Sequence, residues 1–322
     1  MPDKEGSYVQ WMSLEEAMDK LKITNRPIMI DFYTDWCGWC KTMMKTTYAK
    51  QELAKYINMN FYPVKFDAEG KDTVKFLGQT YIPTSKEPRI THPLAAKLLS
   101  NKLMYPTTLF LNGYDSLKKE FSVNMIANGY LEQKKIEPIL IFILENAGKN
   151  STYDDFNKQF QIAFYDSTLS EKQKALTVLS PQQAFGKSNG KKTLVGISTS
   201  WCISCKVMKT SFIDSSVVKY ISDKFNVVDF NPEITDTIYF KNQGYYNVRS
   251  AQMPFHQLAI TLGRNAISFP SLIVLDENFE TIDVVPSFIS PLFLNDITHY
   301  YGDDIYKKHS WAEFMQSKKV TN

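Results

Sequence analysis

The sequence predicts an α/β fold built twice. Three observations lead there. Short apolar strands alternate with helix-like segments along the chain, which is the order of an α/β protein. Blocks of sequence recur at a nearly constant offset. The four cysteines form two pairs with the same spacing, one in each copy. At 322 residues the chain is long for one compact domain and natural for two.

The repeat is the firmest of these. "AKYINMNFYPVKFDAEGKDTVKF" (54–76) lies over "VKYISDKFNVVDFNPEITDTIYF" (218–240) at an offset of 164. "HPLAAKLLSNKLMYPTTLFL" (92–111) lies over "HQLAITLGRNAISFPSLIVL" (256–275) at the same offset. "IMIDFYTDWCGWCK" (28–41) lies over "LVGISTSWCISCK" (194–206) at 165, so one residue is lost just after the cysteines. The expected domains are 1–150 and 173–322, with a polar helical connector over 151–172. "WAEFMQSKK" near the C-terminus echoes "YDDFNKQF" in that connector, so each copy is expected to end in the same small appendage.

Each copy opens on a capped helix. Ser13 with Glu16 three residues later is a capping box, and Ser180-Pro181 is an N-cap followed by a first-turn proline. An apolar strand follows ("PIMIDFYT", "TLVGIST"), then the cysteine pair, a helix, and a β-rich run ("NFYPVKFDA", "FNVVDFNP"). Insertions over about 77–102 and 241–266 have helical spacing in their second halves and come before an X-Pro and another strand ("TTLFL", "SLIVL"). They read either as lids over a binding site or as added helical cover for the sheet. A last strand and a helix close the copy.

Composition excludes several classes. A hydrophobic content of 43% supports real cores, and a net charge of +3 is too small to argue for nucleic acid or a membrane surface. The longest apolar run, "ILIFIL" (139–144), is too short for a membrane span, so no membrane insertion is expected. The charged opening "MPDKEGSYVQ" has no apolar signal core. That reads either as a cytoplasmic protein or as a form whose signal has been removed.

In C-x-x-C at a strand-to-helix junction, the first sulfur faces the unpaired N–H groups and the positive end of the helix dipole. The thiolate is favoured there. Attack on a substrate disulfide gives a mixed disulfide, which the second cysteine resolves. Cys37 and Cys202 are therefore the expected nucleophiles, and Cys40 and Cys205 the resolving thiols. Trp36 and Trp201 are expected beside exposed sulfurs. Three alternatives stand beside this reading: a zinc site drawing on both pairs, structural disulfides, and, for the second pair, a relic without turnover.

"DFYTDWCGWCK", together with "YPTTLF" and "FPSLIV", resembles the thioredoxin superfamily over nearly the whole chain, twice. The likeness is to bacterial cell-envelope members, including the C-terminal thioredoxin domain of the membrane disulfide-reducing transporter and a tandem Bacteroidetes-type family. The resemblance implies two central mixed β-sheets flanked by helices, with Pro106 and Pro270 in cis-proline loops. Tyr105 and Phe269 would flank the substrate groove, with Trp36, Trp39 and Trp201 adding apolar surface. Asp31 matches the family's buried aspartate, which passes a proton to and from the resolving cysteine. The aligned residue of the second copy is Gly196, so the first domain is expected to be the faster catalyst.

The implied activity is thiol-disulfide exchange on protein disulfides and dithiols, fed by an upstream redox partner, with no organic cofactor and no metal. The spacers Gly-Trp and Ile-Ser lack the histidine of strong oxidases, which favours a reductase or isomerase. The family context favours the periplasm or cell envelope, with cytoplasm as the alternative. The rival class is a client-binding, chaperone-like module using Trp36, Trp39, Tyr105, Trp201 and Phe269 as its contact surface. Oligomeric state is left open. His92 and His256 read as helix caps, Glu69 and Glu233 as solvated surface, and Met43, Met44 and Met208 as core.

Overall fold

The computed structural model describes residues 2–85, 87, 89–185, 189–250, 253–265 and 267–321. The chain divides into two compact units, Met1–Leu144 and Glu145–Asn322.

In the first unit, α1 (Leu14–Leu21) starts on the Ser13–Glu16 capping box, both of whose hydrogen bonds are present. β1 (Ile28–Tyr33) is followed by α2 (Gly38–Thr46), α3 (Gln51–Asn60) and β2 (Tyr62–Asp67). Then come the small strands β3 (Val74–Phe76) and β4 (Gln79–Tyr81), α4 (Pro93–Leu98), β5 (Thr107–Asp115), β6 (Glu120–Asn128) and α5 (Gln133–Leu144). The sheet runs β2-β1-β5-β6, with β1 parallel to β2 and antiparallel to β5, so it is mixed. Side chains alternate across a strand. Ile28, Ile30 and Phe32 face a core with Leu14, Ala17, Val64, Leu94 and Leu109, while Met29 and Asp31 take the opposite face.

The second unit repeats this order with additions. α6 (Tyr153–Tyr165), α7 (Leu169–Gln173), β7 (Val178–Leu179) and α8 (Pro181–Ala184) come before β8 (Lys192–Ile197) and α9 (Ile203–Ser211). α10 (Val218–Lys224), β9 (Phe225–Phe230), β10 (Ile238–Phe240), β11 (Gln243–Tyr245), α11 (Gln257–Leu262), β12 (Ser271–Leu275), β13 (Thr281–Pro286), α12 (Pro291–Gly302) and α13 (Trp311–Thr321) complete it. The sheet runs β13-β12-β8-β9-β7, with β7 as an extra parallel edge strand. Its core gathers Val195, Ile197, Val228, Phe230, Leu258 and Ile273.

Two features differ from the sequence expectation. The helices expected as a connector over 151–172 are built into the second unit. Gln159 of α6 accepts from the Thr210 hydroxyl of α9 at 2.7 Å, and Phe156 meets Phe288 edge-on at 5.0 Å. The recurrence itself is real: α12, a 3-10 turn at Ile305–Lys307 and α13 each begin 158 residues after α5, the turn Ala147–Lys149 and α6. Second, the insertions open with β-hairpins, β3–β4 and β10–β11, which the sequence reading, with helical spacing only in the second halves, did not foresee. Each turns on two residues of positive φ, Leu77-Gly78 and Lys241-Asn242. That is the backbone a two-residue hairpin loop needs, but only Gly78 and Asn242 advertise it.

Candidate functional site

The cysteines sit where the strand–helix junctions put them. Cys37 is the N-cap of α2, and its Sγ accepts the N–H of Cys40 at 3.1 Å. Cys202 caps α9 in the same way, accepting the N–H of Cys205 at 3.1 Å. Each pair is closed on itself as a disulfide, Cys37–Cys40 and Cys202–Cys205. The expected exposed sulfurs are not seen: Cys37 and Cys202 are each 4% exposed. Acting as N-caps turns the side chains back under the first helical turn. The indoles beside them are what reach solvent, with Trp36 56%, Trp39 64% and Trp201 58% exposed.

Those indoles are held. The Trp36 Nε1–H donates to both carboxylate oxygens of Glu69 at 3.1 Å, and the Trp201 Nε1–H to Glu233 at 2.9 Å. The two glutamates, read from sequence as plain solvated surface, instead anchor the exposed indoles, a contact that reading missed. Their recurrence at the repeat offset was the available signal. Trp36 packs edge-on to Tyr105 at 6.2 Å and Trp201 to Phe269 at 5.2 Å, while Trp39 leans on Tyr130 at 5.6 Å. The peptide bonds Tyr105–Pro106 and Phe269–Pro270 are cis. His92 and His256 are N-caps of α4 and α11. Each Nδ1 accepts a backbone N–H at 3.1 Å, and each Nε2 meets a carbonyl, that of Asp72 or Asp236.

Asp31 is fully buried in β1, opposite Thr108 of β5 and Lys65 of β2. Its Oδ1 accepts long hydrogen bonds from Tyr48 at 3.4 Å and Thr108 at 3.5 Å, and Oδ2 has no partner among the described residues. Desolvation raises its pKa to about 7, against the pull of Lys65. Lys65 is shared: it pairs with Glu5 and lies over the Tyr33 ring at 4.5 Å. A cavity of about 280 Å³ reaches from Glu5 and Lys65 to Cys40.

The second unit keeps the frame and loses this polar cluster. Gly196 lies opposite Leu272 and Asp229. Where Tyr48 stands, the repeat has Phe212 or Ile213, neither with a hydroxyl. A cavity of about 480 Å³ opens beside Cys205, lined by Gly196, Met208 and Ile213. At its rim Asp229 accepts from Ser198 and pairs with Lys209, both at 2.6 Å. Lys206, which follows the second cysteine pair directly, lies over the Phe164 ring at 4.0 Å. Among the described residues no three His, Cys, Asp or Glu side chains converge on a metal position, and no helix is long and apolar enough to cross a membrane.

Two domain families match the chain. Residues 3–127 match Thioredox_DsbH, described as a protein of unknown function (DUF255), and residues 175–257 match the thioredoxin-like family Thioredoxin_7. The uncharacterized protein B0495.5 of Caenorhabditis elegans is 32% identical over 71 residues, 22% of this chain and 10% of that protein. The chloroplastic F-type thioredoxin of Mesembryanthemum crystallinum is 38% identical over 63 residues, 19% of this chain and 31% of that protein. A solved thioredoxin-fold protein from Helicobacter pylori aligns at 15% identity with a TM-score of 0.34, covering 51% of this chain and 96% of its own. The matched segments span about a tenth of the length of the first curated relatives. The chain belongs to the thioredoxin superfamily, with two thioredoxin-like domains.

Proposed function

We propose that the protein is a thiol-disulfide oxidoreductase that reduces or isomerises disulfides of client proteins. A thiolate at Cys37 attacks a client sulfur, the client disulfide breaks and a mixed disulfide forms. Cys40 then gives up its proton to Asp31 and attacks Cys37, closing the protein's own disulfide and releasing the client dithiol. An upstream dithiol partner restores the pair. The observation that supports this best is the placing of Cys37 as the N-cap of α2 in the same unit as a fully buried acid titrating near neutrality. The second unit, without that acid, is the slower site. Trp36, Trp39, Tyr105, Pro106, Trp201, Phe269 and Pro270 form the client-contact rims, and the two exposed tryptophans flanking Cys37 suit an extended apolar segment. The match to the Thioredox_DsbH family favours work in the periplasm or cell envelope over the cytoplasm.

The test is a redox titration of each pair in a chain whose other pair is serine. A first-pair potential near that of thioredoxin, about −270 mV, supports reduction, whereas about −120 to −180 mV makes the protein an oxidase or isomerase. The exposure of three indoles favours a second reading, client binding without turnover. A Cys37→Ser/Cys40→Ser protein that still suppresses client aggregation at full strength supports that reading.

A further inference from the structure

Glu145 opens the second unit, and its segment is fastened there. The Asn146 carbonyl accepts from Ser287 Oγ at 3.0 Å, and Asn150 Nδ2 donates to the Pro286 carbonyl at 2.7 Å. The half-buried Glu145 carboxylate lies against the first turn of α9. Its Oε2 accepts the N–H of Ser204 at 3.2 Å, and the carboxylate also meets the Ser204 hydroxyl. Ser204 is fully buried, with its Oγ 3.7 Å from Cys202 Sγ. In the first unit Trp39 holds the equivalent position, and among the described residues no carboxylate bonds its N–H.

The free N–H groups of a helix N-terminus are what lower the energy of a thiolate there. In α9 one of them is occupied by an anion, and that anion repels a second negative charge nearby. We propose that Glu145, acting through Ser204, holds Cys202 in its thiol form and so makes the second pair keep its disulfide more firmly than its helix frame alone would. The proposal rests on Cys202–Cys205 being an exchange site. In its reduction, a partner thiolate attacks Cys202 Sγ and Cys205 leaves as a thiolate, which takes up a proton. The partner's second sulfur, losing its proton, then attacks the mixed disulfide and Cys202 leaves. Two electrons pass from dithiol to pair, and Glu145 bears on the charge of that last leaving sulfur. The other charged groups near this turn are Lys206 over Phe164, Glu233 on the Trp201 indole, and the Lys209–Asp229 pair at the cavity rim. Burial raises the Glu145 pKa, and the Ser204 hydrogen bonds oppose that rise.

The experiment uses the full chain with Cys37→Ser and Cys40→Ser, so that only the second pair titrates. Thiolate absorbance of the reduced protein is followed against pH, and the pair is equilibrated with dithiothreitol at about pH 8. Glu145→Gln keeps an acceptor for the Ser204 N–H and removes the charge. The expected result is a Cys202 pKa lower by about one unit and an equilibrium moved up to about tenfold toward the reduced pair, about 30 mV for a two-electron couple. Ser204→Ala is expected to move both in the same direction by less. A pKa and an equilibrium constant unchanged in Glu145→Gln overturn the proposal. Reduced with a phosphine, the pair can be titrated without thiol exchange, so a pair that never reacts with dithiols sinks the functional reading of this site while the pKa still decides the role of Glu145.

Discussion

Asp31 and Gly196 occupy the same register position in two sheets that share four strands in the same order, and what surrounds them differs in kind. Asp31 has Tyr48, Thr108 and Lys65 around it; Gly196 has Leu272 opposite it and an open cavity beside Cys205. Everything that depends on backbone geometry is kept in both units: the N-cap cysteine, the cis-proline, the capping histidine and the glutamate-held indole. The scaffold that presents a disulfide is therefore kept in the second unit without a buried acid at the matching strand position. A buried carboxylate is costly to keep, and at this strand position only the first unit has one. In the other, the carboxylate of Asp229 stands at the cavity rim, neutralised by Lys209.

The contrast breaks most visibly at the nucleophiles. Cys37→Ser is expected to cut protein-disulfide reduction at least about a thousandfold, as loss of a covalent nucleophile does, while Cys202→Ser leaves the overall rate nearly unchanged. Equal losses in the two variants, measured by turnover of a client disulfide, would make the units equivalent.

Asp31→Asn comes next, slowing resolution by Cys40 by about a hundredfold, the scale of general base catalysis. It also carries a stability signature. The folded carboxyl titrates near 7 and the free one near 3.8. Below both values Asp31 is protonated in either state and costs nothing. As pH rises between them the unfolded state loses its proton while the folded state keeps it, so stability falls. Above 7 the deficit is complete. Asp31→Asn is therefore expected to stabilise the first unit by about 4 kcal/mol at alkaline pH and by little at acid pH, which denaturant titrations at the two ends of that window would read.

The reverse exchange sharpens the comparison. A Cβ at Gly196 meets only the Val228 carbonyl, at 3.7 Å, an ordinary contact. Gly196→Asp is thus expected to fold and to speed resolution by Cys205 about tenfold; a folded variant with no gain would mean that the acid needs its Tyr48 and Thr108 partners. The smallest effect is a control on the shared frame. His92→Ala and His256→Ala each remove the same side-chain cap, and equal losses of about 1 kcal/mol are expected in thermal unfolding.

Much of this was readable from the chain. Repetition made the two-domain α/β fold legible, because a duplicated block shows its elements twice. Cys37, Cys40, Cys202 and Cys205 were legible as N-cap pairs because their spacing against the strand ends fixes their place on a helix. Asp31 was legible as a buried acid through the family resemblance, by its place six residues before Cys37 in "DFYTDWCGWCK". Its partners Tyr48 and Thr108 come from α2's C-terminal side and from another strand, and only tertiary pairing brings them in. The hairpins before α4 and α11 were hidden because Leu77 and Lys241 do not announce positive φ. The membership of α6 was hidden because its packing on α9 is a long-range choice that local pattern does not record. Glu145 was invisible for the same reason: its contact with Ser204 spans 59 residues of chain.

The most direct measurement is the rate of mixed-disulfide resolution in two chains, one with only Cys37–Cys40 and one with only Cys202–Cys205, across about pH 5 to 9. The account expects the first pair to resolve at least about tenfold faster, with an inflection near pH 7 from Asp31, and the second to show no such inflection. Two profiles that coincide in rate and shape would contradict it.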